Sequence, residues 1–244
     1  ARDHWQQCYS SLWAGAGIPG GRVIGASDKL GQDPITNPVT PLMVGTTLME
    51  FAGMNTQSRA EMGVLDGGTI IPEFLKCDTV LGIGEIGLNK NTRNELIILE
   101  EQIALAERYN QLVLVHTPHL EDKRKGTRLI MDALSASNID PGKILIDHVE
   151  EHTVAEVLDR GFWAGMTLYP DTKMTPQRAT DVIEMYGSER IWMNSAGDWG
   201  CSDPLAVPKA RLEMTRRGHS MTLVDKVTFD NPLSFLSQSP RFHL

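Results

Sequence analysis

TVLGIGEIGL at residues 79–88 and QLVLVHT at 111–117 are apolar runs carrying an ionisable side chain, Glu85 or His116, and NELIILEEQIALAERYN at 94–110 lies between them. An unbroken apolar run is the sequence form of a strand buried on both faces, and the intervening stretch has the spacing of an amphipathic helix. Strand–helix–strand order predicts parallel strands covered by helices. Three further runs continue the pattern: KILIDHV at 143–149, FWAGMTLYP at 162–170 and RIWMNSA at 190–196. Helical patterns fall between and after them, at KGTRLIMDALSAS (125–137), HTVAEVLDRG (152–161), TPQRATDVIEMYG (175–187) and DPLAVPKARLEMTRRG (203–218). The predicted class is α/β with about five parallel strands, enough for an open sheet but short of the eight that close a barrel.

Upstream of about Leu75 the texture is different. GAGIPGG, SDKLGQDP, NPVTP and LDGG punctuate residues 1–74 with glycine, proline and turn signals, leaving room only for short elements. RVIGAS (22–27) predicts a short strand. TPLMVGTTLMEFAG (40–53) predicts a helix, with Thr40 as its cap, Pro41 in its first turn and Gly53 at its end. The expected domains are therefore 1–74 and 75–244.

Bulk composition excludes several function classes. A formal charge of −8 disfavours general nucleic-acid or anionic-membrane binding, which needs concentrated positive charge. Bound divalent metal would offset the carboxylates locally, so phosphodiester chemistry stays open. Cys8, Cys77 and Cys201 are odd in number and far apart, with no Cys-x-x-Cys pair. That predicts neither a disulfide framework nor a thiolate zinc site, and it fits a reducing compartment. No apolar run has membrane-spanning length, and the opening ARDHWQQC has no signal-peptide pattern, so a cytoplasmic location is expected.

The ionisable residues recur at the ends of the predicted strands: Glu85, His116, His148 and Asp198. Parallel-strand folds gather ligands and catalytic groups beyond the carboxyl ends of their strands, so these four would converge on one mouth. Imidazole with carboxylate suits zinc, manganese or iron better than calcium. Each residue also has an ordinary reading: a histidine at the edge of a core, a helix-capping glutamate, a turn aspartate. Recurrence on four strands favours a site, because burying such groups unpaired is costly. His119 and His152 are weaker candidates, in a loop and at a helix start. Asp147 is expected to alternate away from His148, for packing or a lysine contact. Asn194 and Ser195 could orient ligands. Trp192 and Trp199 could line a pocket, whereas Trp163 is expected to pack structurally.

On GIGEIGLN (82–89), VHTPH (115–119), DHVEEH (147–152) and SAGDWGCSDP (195–204), the later part of the chain resembles the TatD-type metal-dependent hydrolases of the amidohydrolase-like superfamily. The resemblance implies an incomplete TIM-type β/α barrel with an unrelated Gly/Pro-rich N-terminal segment. It implies Glu85, His116, His148 and Asp198 as metal ligands, with Asp198 also the base acting on water. The implied cofactor is a divalent metal, zinc first, with manganese or magnesium as alternatives. The implied partner is a small-molecule substrate, a phosphoester first and an amide or ester second. The family's His-x-His pair is absent from this chain, and Thr117 and Pro118 stand where an arginine usually follows the histidine. One occupied metal position is therefore expected rather than two, and deoxyribonuclease activity is not expected by default.

RDHW (2–5), GGRVIGASDKLGQDPITNPVTP (20–41) and VLDGGTIIPEF (64–74) resemble the C-terminal end of DUF1501 proteins, relatives of sulfatases and alkaline phosphatases. There His4 would be a metal-ligand candidate with Asp3 beside it, although a surface turn is the expected reading in this chain. A partial barrel would leave open edges and an uncovered apolar interior, which an oligomeric partner or the N-terminal segment could cover. A metal-binding or partner-binding remnant without turnover, or a sulfatase-like fragment, is the alternative function.

Overall fold

The structure, a computed structural model, describes residues 23–30, 33–61, 71–118, 122–169, 172–196 and 202–243. The chain forms two compact units, Ala1–Val80 and Leu81–Leu244.

In the first unit, β1 (Ala26–Ser27) pairs antiparallel with β2 (Pro34–Thr36). The strand expected over RVIGAS is thus confined to its last two residues. Helix α1 (Pro41–Phe51) begins as its sequence predicts, with the Thr40 hydroxyl accepting from the Met43 amide at 3.1 Å and Pro41 in the first turn. Gly53 follows its end at φ +88°, a conformation that favours glycine. Helix α2 (Thr56–Glu61) is capped by Asn55, whose Oδ1 accepts from the Ser58 amide at 2.8 Å, and α3 (Ile71–Leu75) is a short turn of helix.

The second unit holds a five-stranded parallel sheet in chain order: β3 (Gly82–Gly87), β4 (Leu112–His116), β5 (Ile144–Ile146), β6 (Trp163–Leu168) and β7 (Ile191–Ser195). Helices α4 (Arg93–Arg108), α5 (Lys123–Ser135), α6 (Val154–Asp159), α7 (Pro176–Tyr186) and α8 (Ala206–Arg216) fall where the periodicity predicts them. Helix α4 starts in a capping box: the Thr92 hydroxyl accepts from the Glu95 amide at 3.3 Å, and Glu95 accepts from the Thr92 amide at 3.0 Å. Thr92→Ala is expected to destabilise the protein by about 1 kcal/mol, read as a lower urea midpoint at an unchanged m-value.

Register divides the sheet into two faces. Val113, Val115, Ile144, Ile146, Ala164, Met166, Ile191 and Met193 alternate onto one face and are buried. Leu112, Leu145, Trp163 and Trp192 alternate onto the other and cluster around Phe235, with Leu114 and Leu236 packed against them. Phe235 belongs to α10 (Asn231–Leu236), which follows α9 (Met221–Asp225) and a π-helical turn at Lys226–Asp230. Its ring makes edge contacts with Trp163 and Trp192, at centroid separations of 5.8 and 5.2 Å. This corrects two expectations. Part of the apolar interior is covered by the chain's own C-terminal helix, and Trp192 is a core residue rather than a pocket wall. Trp163 packs structurally, as expected, and its indole N–H donates to the Gly142 carbonyl at 2.7 Å. No helix among the described residues is long and apolar enough to cross a membrane.

Candidate metal centre

The Phe235-bearing face changes character toward the carboxyl ends of its strands. Continuing the alternation from Leu112, Leu145, Trp163 and Trp192 leads to His116, Asp147, Thr167 and Asn194. A polar layer therefore sits directly above an apolar one. Glu85 joins it from β3, where a register irregularity between Ile83 and Ile86 takes Gly84 and Glu85 out of regular pairing with β4. Gly87 then lets the two strands meet: at φ +151°, a Cβ there would fall 2.0 Å from the His116 carbonyl oxygen.

Glu85, His116 and His148 converge, each offering one ligand atom, with all three atoms within 4.8 Å of one another. Glu85 Oε1 is 2.6 Å from His148 Nε2 and 3.4 Å from His116 Nδ1. The two imidazoles meet edge to face at 4.8 Å between centroids. Glu85 is half-exposed, whereas the His148 side chain is only 7% exposed. The bond with His116, then that with His148, holds the Glu85 carboxyl well below the usual carboxylate range, outweighing the opposing effect of burial. Glu85 is therefore ionised at neutral pH and fit to bind a cation.

The donor set fits a divalent metal. Two ligands of a tetrahedral zinc, each about 2.0–2.1 Å from the ion, lie about 3.4 Å apart. The 3.4 Å between Glu85 Oε1 and His116 Nδ1 matches that value, the 2.6 Å to His148 Nε2 is a direct hydrogen bond that an ion would have to open, and two nitrogens with one carboxylate oxygen match zinc's preference.

His148 is not carried by a strand. β5 ends at Ile146, and His148 has φ +59°, in the left-handed region that non-glycine residues seldom occupy. That turn breaks the alternation on which the Asp147 expectation relied. Asp147 does not face away toward a lysine. Its Oδ1 accepts from the His148 amide at 2.8 Å, from the Thr167 hydroxyl at 3.0 Å and from Asn194 Nδ2 at 3.0 Å. Thr167 Oγ1 is in turn 2.7 Å from His148 Nδ1. Gly165 makes room for this carboxylate, since a Cβ there would lie 2.4 Å from Asp147 Oδ1. Buried Thr117, where an arginine is usual in the resembled family, donates its hydroxyl to the Asp147 carbonyl at 2.8 Å and so fixes the loop that presents His148. Glu151 braces the same loop through paired bonds to Arg178, both at 2.7 Å.

Of the remaining candidates, Asn194 joins the Asp147 network, Ser195 ends β7 exposed, and His152 is exposed ahead of α6. Asp198, His119, Trp199, His4 and Asp3 lie outside the described residues. Sequence reasoning missed Thr167; the signal available was its place two positions beyond Gly165 on an inward-facing alternation.

A family model described as a protein of unknown function, DUF1501, matches residues 1–63, which covers most of the N-terminal resemblance but not its extension to Phe74. Over 148 residues, 61% of the chain, the sequence is 33% identical to an uncharacterized metal-dependent hydrolase of Methanocaldococcus jannaschii, and it spans 58% of that relative's length. A TatD-like protein from Archaeoglobus fulgidus superposes with a TM-score of 0.55 at 23% identity, over 82% of this chain and 85% of that one. An Escherichia coli phosphotriesterase homology protein, solved with phosphate in its active site, superposes with a TM-score of 0.55 at 14% identity, over 77% and 65%. The chain thus has the α/β fold of TIM-barrel hydrolases, with a five-stranded parallel sheet, and is similar in sequence to a metal-dependent hydrolase.

Proposed function

We propose that this chain is a metal-dependent hydrolase whose reaction centre lies at the carboxyl ends of β3, β4 and the β5 loop. The observation that carries this reading is the convergence of Glu85, His116 and His148 within 4.8 Å in a layer above an apolar core. Glu85 contributes an anionic oxygen, His116 its Nδ1 and His148 its Nε2. A divalent ion held there, zinc first, would supply water of lowered pKa and polarise a substrate oxygen. With no His-x-His pair in the sequence, the ligand set provides for one ion.

Asp198, after β7 in sequence, is assigned as general base from its sequence position and the TatD resemblance. A phosphoester is the first substrate class: the resemblance is to TatD-type proteins, and one neighbour of the same fold was solved with phosphate in its active site. Amides and esters are second. The organisation into a DUF1501-like segment over 1–74 and a partial barrel over 75–244 belongs to the same proposal.

Turnover of a panel of phosphomonoesters, phosphodiesters and acyl esters, before and after chelation, tests the reading. Expected is phosphoester hydrolysis that disappears with chelator and returns with zinc. Hydrolysis indifferent to chelator would overturn it. Tight zinc binding without turnover on any substrate would favour a binding remnant, a reading to which the absent His-x-His pair lends weight.

A further inference from the structure

The hydrogen bonds behind His148 can be given directions, because their participants have fixed capacities. Asp147 Oδ1 accepts three bonds, and the His148 amide and Asn194 Nδ2 among its partners only donate. Thr167 has one hydroxyl hydrogen, and its 3.0 Å bond to Asp147 Oδ1 uses it. What Thr167 offers His148 across 2.7 Å is therefore a lone pair, so Nδ1 carries the proton. The other ring nitrogen, Nε2, faces Glu85 at 2.6 Å; it donates to that carboxylate here, and it is the nitrogen whose proton an ion would replace.

We propose that Thr167, backed by Asp147, is the positioning residue that fixes the tautomer and ring direction of His148 so that Nε2 is presented as a ligand. The inference rests on the metal-centre reading above and adds a residue the sequence did not flag. Histidine ligands commonly donate their second N–H to a carboxylate, a carbonyl or water. Here a threonine hydroxyl stands between imidazole and carboxylate. The arrangement is built rather than incidental: Thr167 is 1% exposed, its neighbour Gly165 clears space for the carboxylate, and the same carboxylate holds the left-handed turn at His148 through the backbone amide. A buried hydroxyl in a sheet also costs free energy unless its bonds are made, and this one makes two.

The test uses the full chain with zinc as the probe. Affinity is measured by competition with a chromophoric chelator, and the His148 ring N–H is followed by nitrogen-15 NMR in the zinc-loaded protein. Thr167→Val keeps the shape of the residue and removes the hydroxyl. It is expected to bind zinc about 10–100-fold more weakly and to lose the slowly exchanging Nδ1–H signal. Thr167→Ser restores the hydroxyl and is expected to recover both. Asp147→Asn retains an acceptor without the charge and is expected to fall between. Thr167→Val with wild-type affinity and an intact signal would overturn the proposal, even if it unfolded at lower temperature. So would a serine variant as impaired as the valine one. Wild-type protein that bound no zinc would instead overturn the metal-centre reading itself, and this inference with it.

Discussion

Replacing His148 by alanine is expected to weaken zinc binding by more than about 100-fold, because the change removes one of three converging ligands rather than a supporting bond. Elemental analysis of the monodisperse protein should find close to one equivalent of zinc in the wild type and very little in His148→Ala. The size of the effect follows from where the side chain sits. His148 is the most buried of the three candidate ligands, and the left-handed turn, the Asp147 carboxylate and the Thr117 hydroxyl all serve to place it. Glu85 and His116 would remain 3.4 Å apart, but two ligands hold zinc poorly. Retention of a full equivalent in the variant would place the metal elsewhere in the chain and sink the assignment. The thermal midpoint should be measured alongside, since removing a buried ring also leaves a cavity.

The sheet was legible because strands buried on both faces announce themselves as unbroken apolar runs. All five appear within the predicted segments, and the helices between them follow the 3.6-residue period. Glu85, His116 and His148 were legible for a related reason. Ionisable side chains at the ends of apolar strands have few other places to go, and the structure gathers those three. What failed to show was whatever depended on departures from regular geometry. Asp147 was misread because its neighbour His148 was taken as the inward residue of a regular strand, whereas the strand ends at Ile146 and the turn at φ +59° brings His148 to the same site as Asp147. Thr167 carries no charge and sits inside an apolar strand, so nothing in its chemistry drew attention; only its partners in space give it a role. The stretch from Met221 to Leu236 was passed over because its two five- and six-residue helices, separated by a π-helical turn, are too short for periodicity to register.

That passed-over stretch carries the second large effect. Phe235→Ala is expected to destabilise the protein by about 3–5 kcal/mol, the usual cost of emptying a fully buried aromatic site. For a unit of this size the thermal midpoint should fall by roughly 6–20 °C. The ring is fully buried and touches both tryptophans of the apolar layer, so its loss strips contacts from Trp163 and Trp192 together. In a closed barrel the inward side chains of eight strands fill the interior in layers. Here a layer drawn from four strands, with Leu112, Leu145, Trp163 and Trp192 on β4, β5, β6 and β7, is completed by a side chain from a terminal helix. Phe235→Leu, which keeps much of the volume, should lose far less. Calorimetry on the two variants decides the matter: equal and small losses would mean that the C-terminal helix is not what fills this interior. A large loss confined to the alanine variant would show that the polar layer carrying His116, Asp147 and Thr167 stands on a floor the chain supplies for itself.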